Sequence, residues 1–346
     1  MKKGFFEIKE LWRGGDNYVR HRIPGMIVTS KGTILAYNEA RQAGDDWAMM
    51  DILATRSTDH GKTFCEFFKL AEGSAEHPTV NNPVMVQDKN GRIHFLYCED
   101  YTVNGGRALR RYSDDDGLTW SEPISVMEFT NPDYHNAFAF GPGHGIMAKD
   151  GTLIIPIWMV PKFHEAPIKK HTPSVVSSFY SKDNGETWAV GELLETNAQI
   201  ICPNETAAVL TSDGRVHFNI RFQGYCRAKA YSDNGYSDWQ DYAPDYNLPD
   251  PGCFGSLAAY DDGKNPYTVI FANCADKESR SHVTVWASFD DGKTYPIQKL
   301  LDANRGGYVE VATDSEAGLV YVIYEDKWGE RDYLASFDYD WLVSGE

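Results

Sequence analysis

The sequence has no apolar run approaching the ~20 residues that a helical membrane span needs, and it is short of positive charge. Lys and Arg total 33 against 50 Asp and Glu, a formal net charge of −17 over 346 residues. The first absence excludes a helical span. The second argues against nucleic acid and anionic membrane surfaces as partners, because both select basic faces. Cysteine is sparse: residues 65, 98, 202, 226, 253 and 274 form no Cys-x-x-Cys pair and no Cys/His cluster. Neither a zinc site nor a disulfide framework is expected, only packed thiols. The ten histidines show no paired metal-ligand spacing. Asp114-Asp115-Asp116-Gly117 opens like a calcium loop, but Ser125 stands where the twelfth-position Glu is needed. No metal and no cofactor are therefore assigned. The N-terminal stretch Met1-Lys2-Lys3-Gly4-Phe5-Phe6-Glu7-Ile8-Lys9 has charge where the apolar part of an export signal would continue. As written, the chain is expected to be cytoplasmic, or periplasmic or secreted if a signal has been removed.

What is present is a repeat. Ser57-Thr58-Asp59-His60-Gly61-Lys62-Thr63-Phe64 returns as Ser113-Asp114-Asp115-Asp116-Gly117-Leu118-Thr119-Trp120, as Ser181-Lys182-Asp183-Asn184-Gly185-Glu186-Thr187-Trp188, and as Ser288-Phe289-Asp290-Asp291-Gly292-Lys293-Thr294-Tyr295. A degenerate copy runs from Ser232 to Trp239. The template Ser-x-Asp-x-Gly-x-Thr-aromatic suits a hairpin turn: Asp closes the loop on backbone, Gly takes positive φ, and the aromatic anchors the turn below. The serines lie 56, 68, 51 and 56 residues apart, so the chain accommodates about six units. Short strand-like runs such as Thr33–Tyr37, Arg92–Tyr97 and Thr152–Pro156 lie between the boxes, and no stretch keeps helical periodicity over ten residues. The expected fold is all-β, a six-bladed β-propeller with four-stranded antiparallel blades, residues 1–346 forming one domain.

A propeller is a scaffold, and function is read from the residues it carries. Arg20-His21-Arg22-Ile23-Pro24 precedes a strand ending in Glu39-Ala40-Arg41. With the boxes, these segments make the chain resemble the sialidase (neuraminidase) superfamily, bacterial-type exo-α-sialidases in particular, from about residue 18 to Leu342. The resemblance implies an exo-α-sialidase that removes terminal sialic acids from glycoconjugates with retention of configuration, its partner being a sialylated glycan. The substrate carries a carboxylate on its anomeric carbon, so the site needs cations that stay charged at every pH, and guanidinium forks meet that need. Three arginines are implied: Arg22 in Arg-Ile-Pro, Arg221 in Phe218-Asn219-Ile220-Arg221, and Arg280 in Lys277-Glu278-Ser279-Arg280. Arg41 joins them as substrate-binding.

The resemblance further implies an acid/base aspartate after the Glu-x-Arg strand. Gly44-Asp45-Asp46-Trp47 offers two; the spacing of five from Arg41 favours Asp46, while chemistry alone leaves Asp45 open. Glu205, 16 residues before Arg221, resembles the family glutamate that takes a proton from a tyrosine nucleophile, and Gly306-Gly307-Tyr308 resembles the segment carrying that tyrosine. Tyrosine has a physical reason: an ionised nucleophile would be repelled by the substrate's own carboxylate, whereas a phenol deprotonated in step is not. Val309 and Glu310 stand where the family has Ser and Leu. In Tyr324-Glu325 the glutamate resembles one that holds the first arginine, and Glu39 and Asp51 are expected to organise the charges of the first blade. Phe140–Ile146 resembles a stretch lining the cleft, and Trp47, Met49 and Met50 fit either an apolar pocket for an N-acyl group or ordinary core packing. A non-catalytic sialoglycan-binding protein, or a propeller glycosidase or lyase for another acidic sugar, stays open beside this reading. Oligomeric state and linkage preference are not legible.

Overall fold

A computed structural model describes residues 4–100, 106–134, 136–162, 171–326 and 329–344; Met1–Lys3, where the search for an export signal began, lie outside the described residues. Six small antiparallel sheets follow one another along the chain. Blade one is Arg20–Val28, Ile34–Arg41, Met50–Ser57 and Phe68–Glu72. Blade two is Val80–Gln87, Ile93–Glu99, Arg107–Ser113 and Ile124–Ser125, with Gly143–His144 added in parallel to its first strand. Blade three is Ala137–Phe140, Leu153–Val160, Val175–Ser181 and Ala189–Val190, with Ile146–Met147 beside the second strand. Blade four is Thr206–Leu210, Val216–Ile220, Cys226–Ser232 and Gln240–Pro249. Blade five is Ser256–Tyr260, Thr268–Cys274, Val283–Ser288 and Ile297–Asp302.

Blade six explains why six units carry only five boxes. Its three C-terminal strands, Val309–Asp314, Leu319–Glu325 and Arg331–Asp338, are completed by Phe6–Arg13 from the other end of the chain. In blades one to five the box joins the third strand to the fourth. In blade six that connection does not exist, and the short helix Tyr339–Val343 follows the third strand, its first turn capped by the Asp338 carboxylate accepting from Trp341 N at 2.8 Å. First strands of successive blades pack side by side, except that the first strand of blade four meets blade three through Leu153–Val160 and Ile146–Met147, and blade six returns to blade one, closing the ring. The second strands of blades one and three, Ile34–Arg41 and Leu153–Val160, are buried at all eight positions. Both faces meet a neighbouring blade, which is why these segments read as apolar runs more than as clean alternation.

The boxes repeat one hydrogen-bond set. In the copy at Ser181, the Ser hydroxyl donates to Asp183 at 2.8 Å and accepts from Gly185 N at 2.8 Å. Asp183 accepts from Thr187 N at 2.9 Å and from its hydroxyl at 2.6 Å. The copies at Ser57, Ser113 and Ser288 do the same. The residue before the glycine also has positive φ, 58° at His60, 63° at Asp116, 58° at Asn184 and 64° at Asp291, so two successive residues are left-handed. Each box glycine presses on the preceding blade. A Cβ on Gly185 would lie 2.4 Å from the His94 ring, and one on Gly292 would lie 2.5 Å from the His217 ring. The repeat is thus an inter-blade rivet as well as a turn.

Among the described residues no helix is long and apolar enough to cross a membrane, and no three His, Cys, Asp or Glu side chains are grouped as for a metal ion. All six cysteines are free thiols. Cys98, Cys226, Cys253 and Cys274 are buried as expected, but Cys65 is exposed and Cys202 reaches the cleft described next.

Candidate active site

At one end of the ring axis lies a cleft of about 490 Å³, and its lining includes Arg22, Glu39, Arg41, Asp46, Glu205, Arg221, Arg280 and Tyr308. These residues come from blades one, four and five and from the entry to blade six. How they are aimed begins with a backbone device that the sequence reading missed. Ile23, Asn82 and Cys202, each before a proline, have φ of 56°, 53° and 48°. Such residues cost about 1–3 kcal/mol apiece and persist where the surroundings over-determine them. In blade one the register slips between Arg22 and Gly25, and in blade two between Asn81 and Val84. Each slip is a bulge that turns side chains out of the sheet toward the axis: Arg22 in the first case, Asn81 and Asn82 in the second.

Arg22 is held from behind. Its Nε donates to Glu325, whose other oxygen accepts from Tyr308 N at 2.8 Å. Glu325 is 1% exposed and Arg22 15%. Burial works against the Arg22 charge, but the adjacent Glu325 carboxylate outweighs it and raises the guanidinium pKa. One glutamate therefore fixes both the arginine and the backbone that presents the tyrosine. Two glycines permit this approach: a Cβ on Gly307 would meet Glu325 Cγ at 2.3 Å, and one on Gly306 would meet Cys274 Sγ at 2.6 Å and the Arg280 carbonyl at 2.9 Å. Arg22 and Arg280 stand over the Tyr308 ring, 5.3 and 5.4 Å from its centroid.

Tyr308 donates its phenolic proton to Glu205 Oε1 at 2.5 Å, and Arg221 Nη1 donates to the phenolic oxygen at 3.0 Å. Arg221 also pairs with Glu205 Oε2. Burial and the neighbouring Glu205 carboxylate raise the Tyr308 pKa far above its ordinary value, with Arg221 and Arg280 opposing. The resting phenol is neutral, with its proton acceptor already in contact. Val309 and Glu310, the departures after the tyrosine, turn away from the cleft: Val309 packs in the core, and Glu310 pairs with His144 Nδ1 inside the ring.

On the blade-one side, Arg41 donates to Glu39 Oε2 through Nε at 3.0 Å and through Nη2 at 2.5 Å, and to Asp46 Oδ1 at 2.6 Å. Glu39 Oε1 accepts from Asn82 N at 2.8 Å, which ties blade one to the blade-two bulge. Burial raises the Glu39 pKa, with the Arg41 charge opposing it. Burial pushes Asp46 the same way, but Arg41 outweighs it and holds that carboxyl below the usual range. Of the two adjacent aspartates, Asp45 spends its carboxylate on Trp47 N at 2.9 Å and shapes the turn, while Asp46 faces the cleft.

Two expectations are corrected. Met50 is fully buried between sheet layers, and Met49 and Trp47 do not line the cleft, so these three form no pocket there. The Phe140–Ile146 stretch is drawn into the ring, where Gly143–His144 pairs with blade two; His144 faces a separate cavity of about 400 Å³. Asp51, expected to help organise the charges of the first blade, pairs there with Lys69 Nζ at 2.9 Å and accepts from Tyr18 Oη at 2.5 Å and Gly73 N at 3.0 Å. Conversely, Asn81, Asn82, Trp158 and His171 line the cleft and were not anticipated. For the asparagines a signal existed: the prolines of Ile23-Pro24, Asn82-Pro83, Gly141-Pro142 and Cys202-Pro203 recur at 59, 59 and 61 residues, a second repeat at blade period. His171 had no comparable mark.

Residues 66–342 match the model of the BNR repeat-like domain family. The chain is 28% identical over 376 positions to an exo-alpha-sialidase of Arthroderma benhamiae, covering 96% of this chain and 86% of that protein. It is 29% identical to a sialidase of Micromonospora viridifaciens, covering 95% of this chain but 53% of that one. Among solved structures, the Hadza microbial sialidase Hz136 superposes with a TM-score of 0.81 at 26% identity, over 92% of this chain and 66% of the other.

Proposed function

The chain belongs to the sialidase superfamily, and on that premise we propose that it is an exo-α-sialidase working by retention, with Tyr308 as nucleophile. The observation that carries this reading is the contact of Tyr308 Oη with Glu205 Oε1 at 2.5 Å beneath three arginines.

Arg22, Arg221 and Arg280 bind the substrate carboxylate, and Arg41, whose fork is occupied by Glu39 and Asp46, contacts the glycone beside them. As Tyr308 Oη attacks the anomeric carbon, its proton passes to Glu205. Asp46 donates a proton to the departing glycosidic oxygen, so the C–O bond breaks without expelling an alkoxide. The intermediate is an ether between the tyrosine and the anomeric carbon. Asp46, now a carboxylate, removes a proton from water, which attacks the same carbon; Glu205 returns its proton to Tyr308 Oη as that bond breaks. Two displacements on one carbon give net retention.

The Arg41 pair keeps Asp46 ionised in the empty site, and general-acid chemistry needs it protonated. A bound glycone that engages Arg41 withdraws that stabilisation, so loading the site readies the acid.

Release of a fluorescent aglycone from an α-linked N-acetylneuraminic acid across pH 4 to 8 tests the activity, and NMR of the first-formed anomer tests the stereochemistry. Turnover with α-anomer appearing first is the expected result. First appearance of the β-anomer refutes retention, and turnover only on other nonulosonic acids or uronates moves the chain to a different acidic glycone.

A further inference from the structure

His171 lies in the cleft and has been given no part above. Its ring centroid stands 5.5 Å from that of Trp47 with the planes at 31°, and 5.5 Å from that of Trp158 with the planes at 70°. Trp158, in the second strand of blade three, is 3% exposed. Trp47 adjoins Asp46 on a turn of blade one held locally by Asp45 and Arg41. The Asp46 side chain remains 41% exposed. His171 therefore joins a partly exposed turn of blade one to a buried strand of blade three across the blade-two side of the cleft. Charged groups act on it from both sides, Asp46 and Arg41 from blade one and Glu205 and Arg221 from blade four.

We propose that His171 is a positioning residue for Asp46: packed between Trp47 and Trp158, it fixes the Asp45–Trp47 turn so that the Asp46 carboxyl meets the leaving oxygen. The inference rests on the reading of Asp46 as the acid. Burial lowers the His171 pKa, with Asp46 and Glu205 opposing, so the ring acts as a neutral packing element near pH 7 and not as a second acid. A displacement of about 1 Å at a proton donor costs on the order of 10²-fold in rate, and the loss should follow how much protonation the leaving group needs.

The test uses two substrates with one glycone, a 4-methylumbelliferyl glycoside and sialyllactose. A phenolate departs with little help, whereas a sugar alkoxide does not. For His171→Ala, kcat on sialyllactose should fall at least about ten times further than kcat on the aryl glycoside, the same discrimination that Asp46→Ala shows more strongly. His171→Phe, which keeps ring contacts with both tryptophans, should restore most of the sialyllactose rate and covers the case in which the alanine variant folds poorly. Equal losses on both substrates, or no loss on either, overturn the proposal. If Asp46→Ala itself does not discriminate, the acid assignment fails; if the unmodified protein turns over neither substrate, the sialidase reading fails.

Discussion

The two ends of each blade follow opposite rules. At the box end, the aspartate two residues after the serine finds its partners within four residues, and the same bonds recur in four copies. At the cleft end the side chains differ from blade to blade, and beside local pairs such as Arg41 with Glu39 the partners include remote ones: Arg22 and Glu325 are 303 residues apart, Tyr308 and Glu205 are 103 apart, and Tyr308 and Arg221 are 87 apart. The box end holds neighbouring blades together; the cleft end uses the resulting ring to assemble a site from four of them. Substitutions at the cleft should therefore strike rate or binding, and substitutions at the boxes should strike stability alone.

The largest effect tests the cleft. Tyr308→Phe removes the attacking oxygen while leaving the arginines in place, and kcat should fall by about 10³-fold with substrate binding and melting temperature nearly unchanged. Equal loss of binding, measured by calorimetry with the free sugar acid, would show that Tyr308 shapes the site and does not react.

Glu325→Ala blurs the division, because that residue is both structural and adjacent to chemistry. It strands Arg22 and releases Tyr308 N, so unfolding free energy should drop by about 3 kcal/mol, as for a broken buried ion pair. KM should rise by about tenfold, the equivalent of roughly 1.4 kcal/mol. A stability loss with unchanged KM would detach Arg22 from substrate binding.

At the box end, Gly185→Ala places a Cβ at φ 82° and 2.4 Å from the His94 ring. Denaturant unfolding should show a loss of about 2 kcal/mol, with kcat at 25 °C unaltered. A fall in kcat without loss of stability would mean that the boxes transmit to the site.

The smallest effect concerns pH. His217, under the Gly292 rivet, has no hydrogen-bond partner for either ring nitrogen among the described residues. Burial, with Lys229 and Arg215 nearby, takes its pKa down to about 3. The folded state keeps this ring neutral while the unfolded chain protonates it below about 6.5. The unfolded state then binds more protons, so stability declines as pH falls from about 6.5 toward 3. His217→Phe should flatten that part of the stability profile by about one proton, with the pH–rate profile unmoved; an unchanged slope would contradict a buried neutral His217.

The same opposition explains what could be read beforehand. A box is local: spacing and turn chemistry identify each copy, and the copies count the blades. Even the sixth blade, which lacks a box, is located by the period. Cleft residues such as Arg280 and Tyr308 have no local signature that separates them from surface arginines or packed tyrosines, and they were placed by resemblance to a family. His171 stayed invisible because its significance lies in Trp47 and Trp158, contacts that only the folded ring creates. Met50 stood open between pocket and core for a related reason: an apolar residue next to the acid loop is equally a core residue when its strand begins there, and the fold places it in the core. The strained residue before proline lies between these cases, periodic in sequence yet meaningful only once the register slips at Arg22 and Asn81 are seen.

The most direct measurement is peptide mass spectrometry of the protein inactivated with 2,3-difluorosialic acid, in which fluorine slows both displacements and a good leaving group favours the first. A single sialyl adduct on Tyr308, absent from Tyr308→Phe, is the expected result. An adduct on Asp46 or Glu205, or turnover with no adduct on any residue, would contradict Tyr308 as the nucleophile.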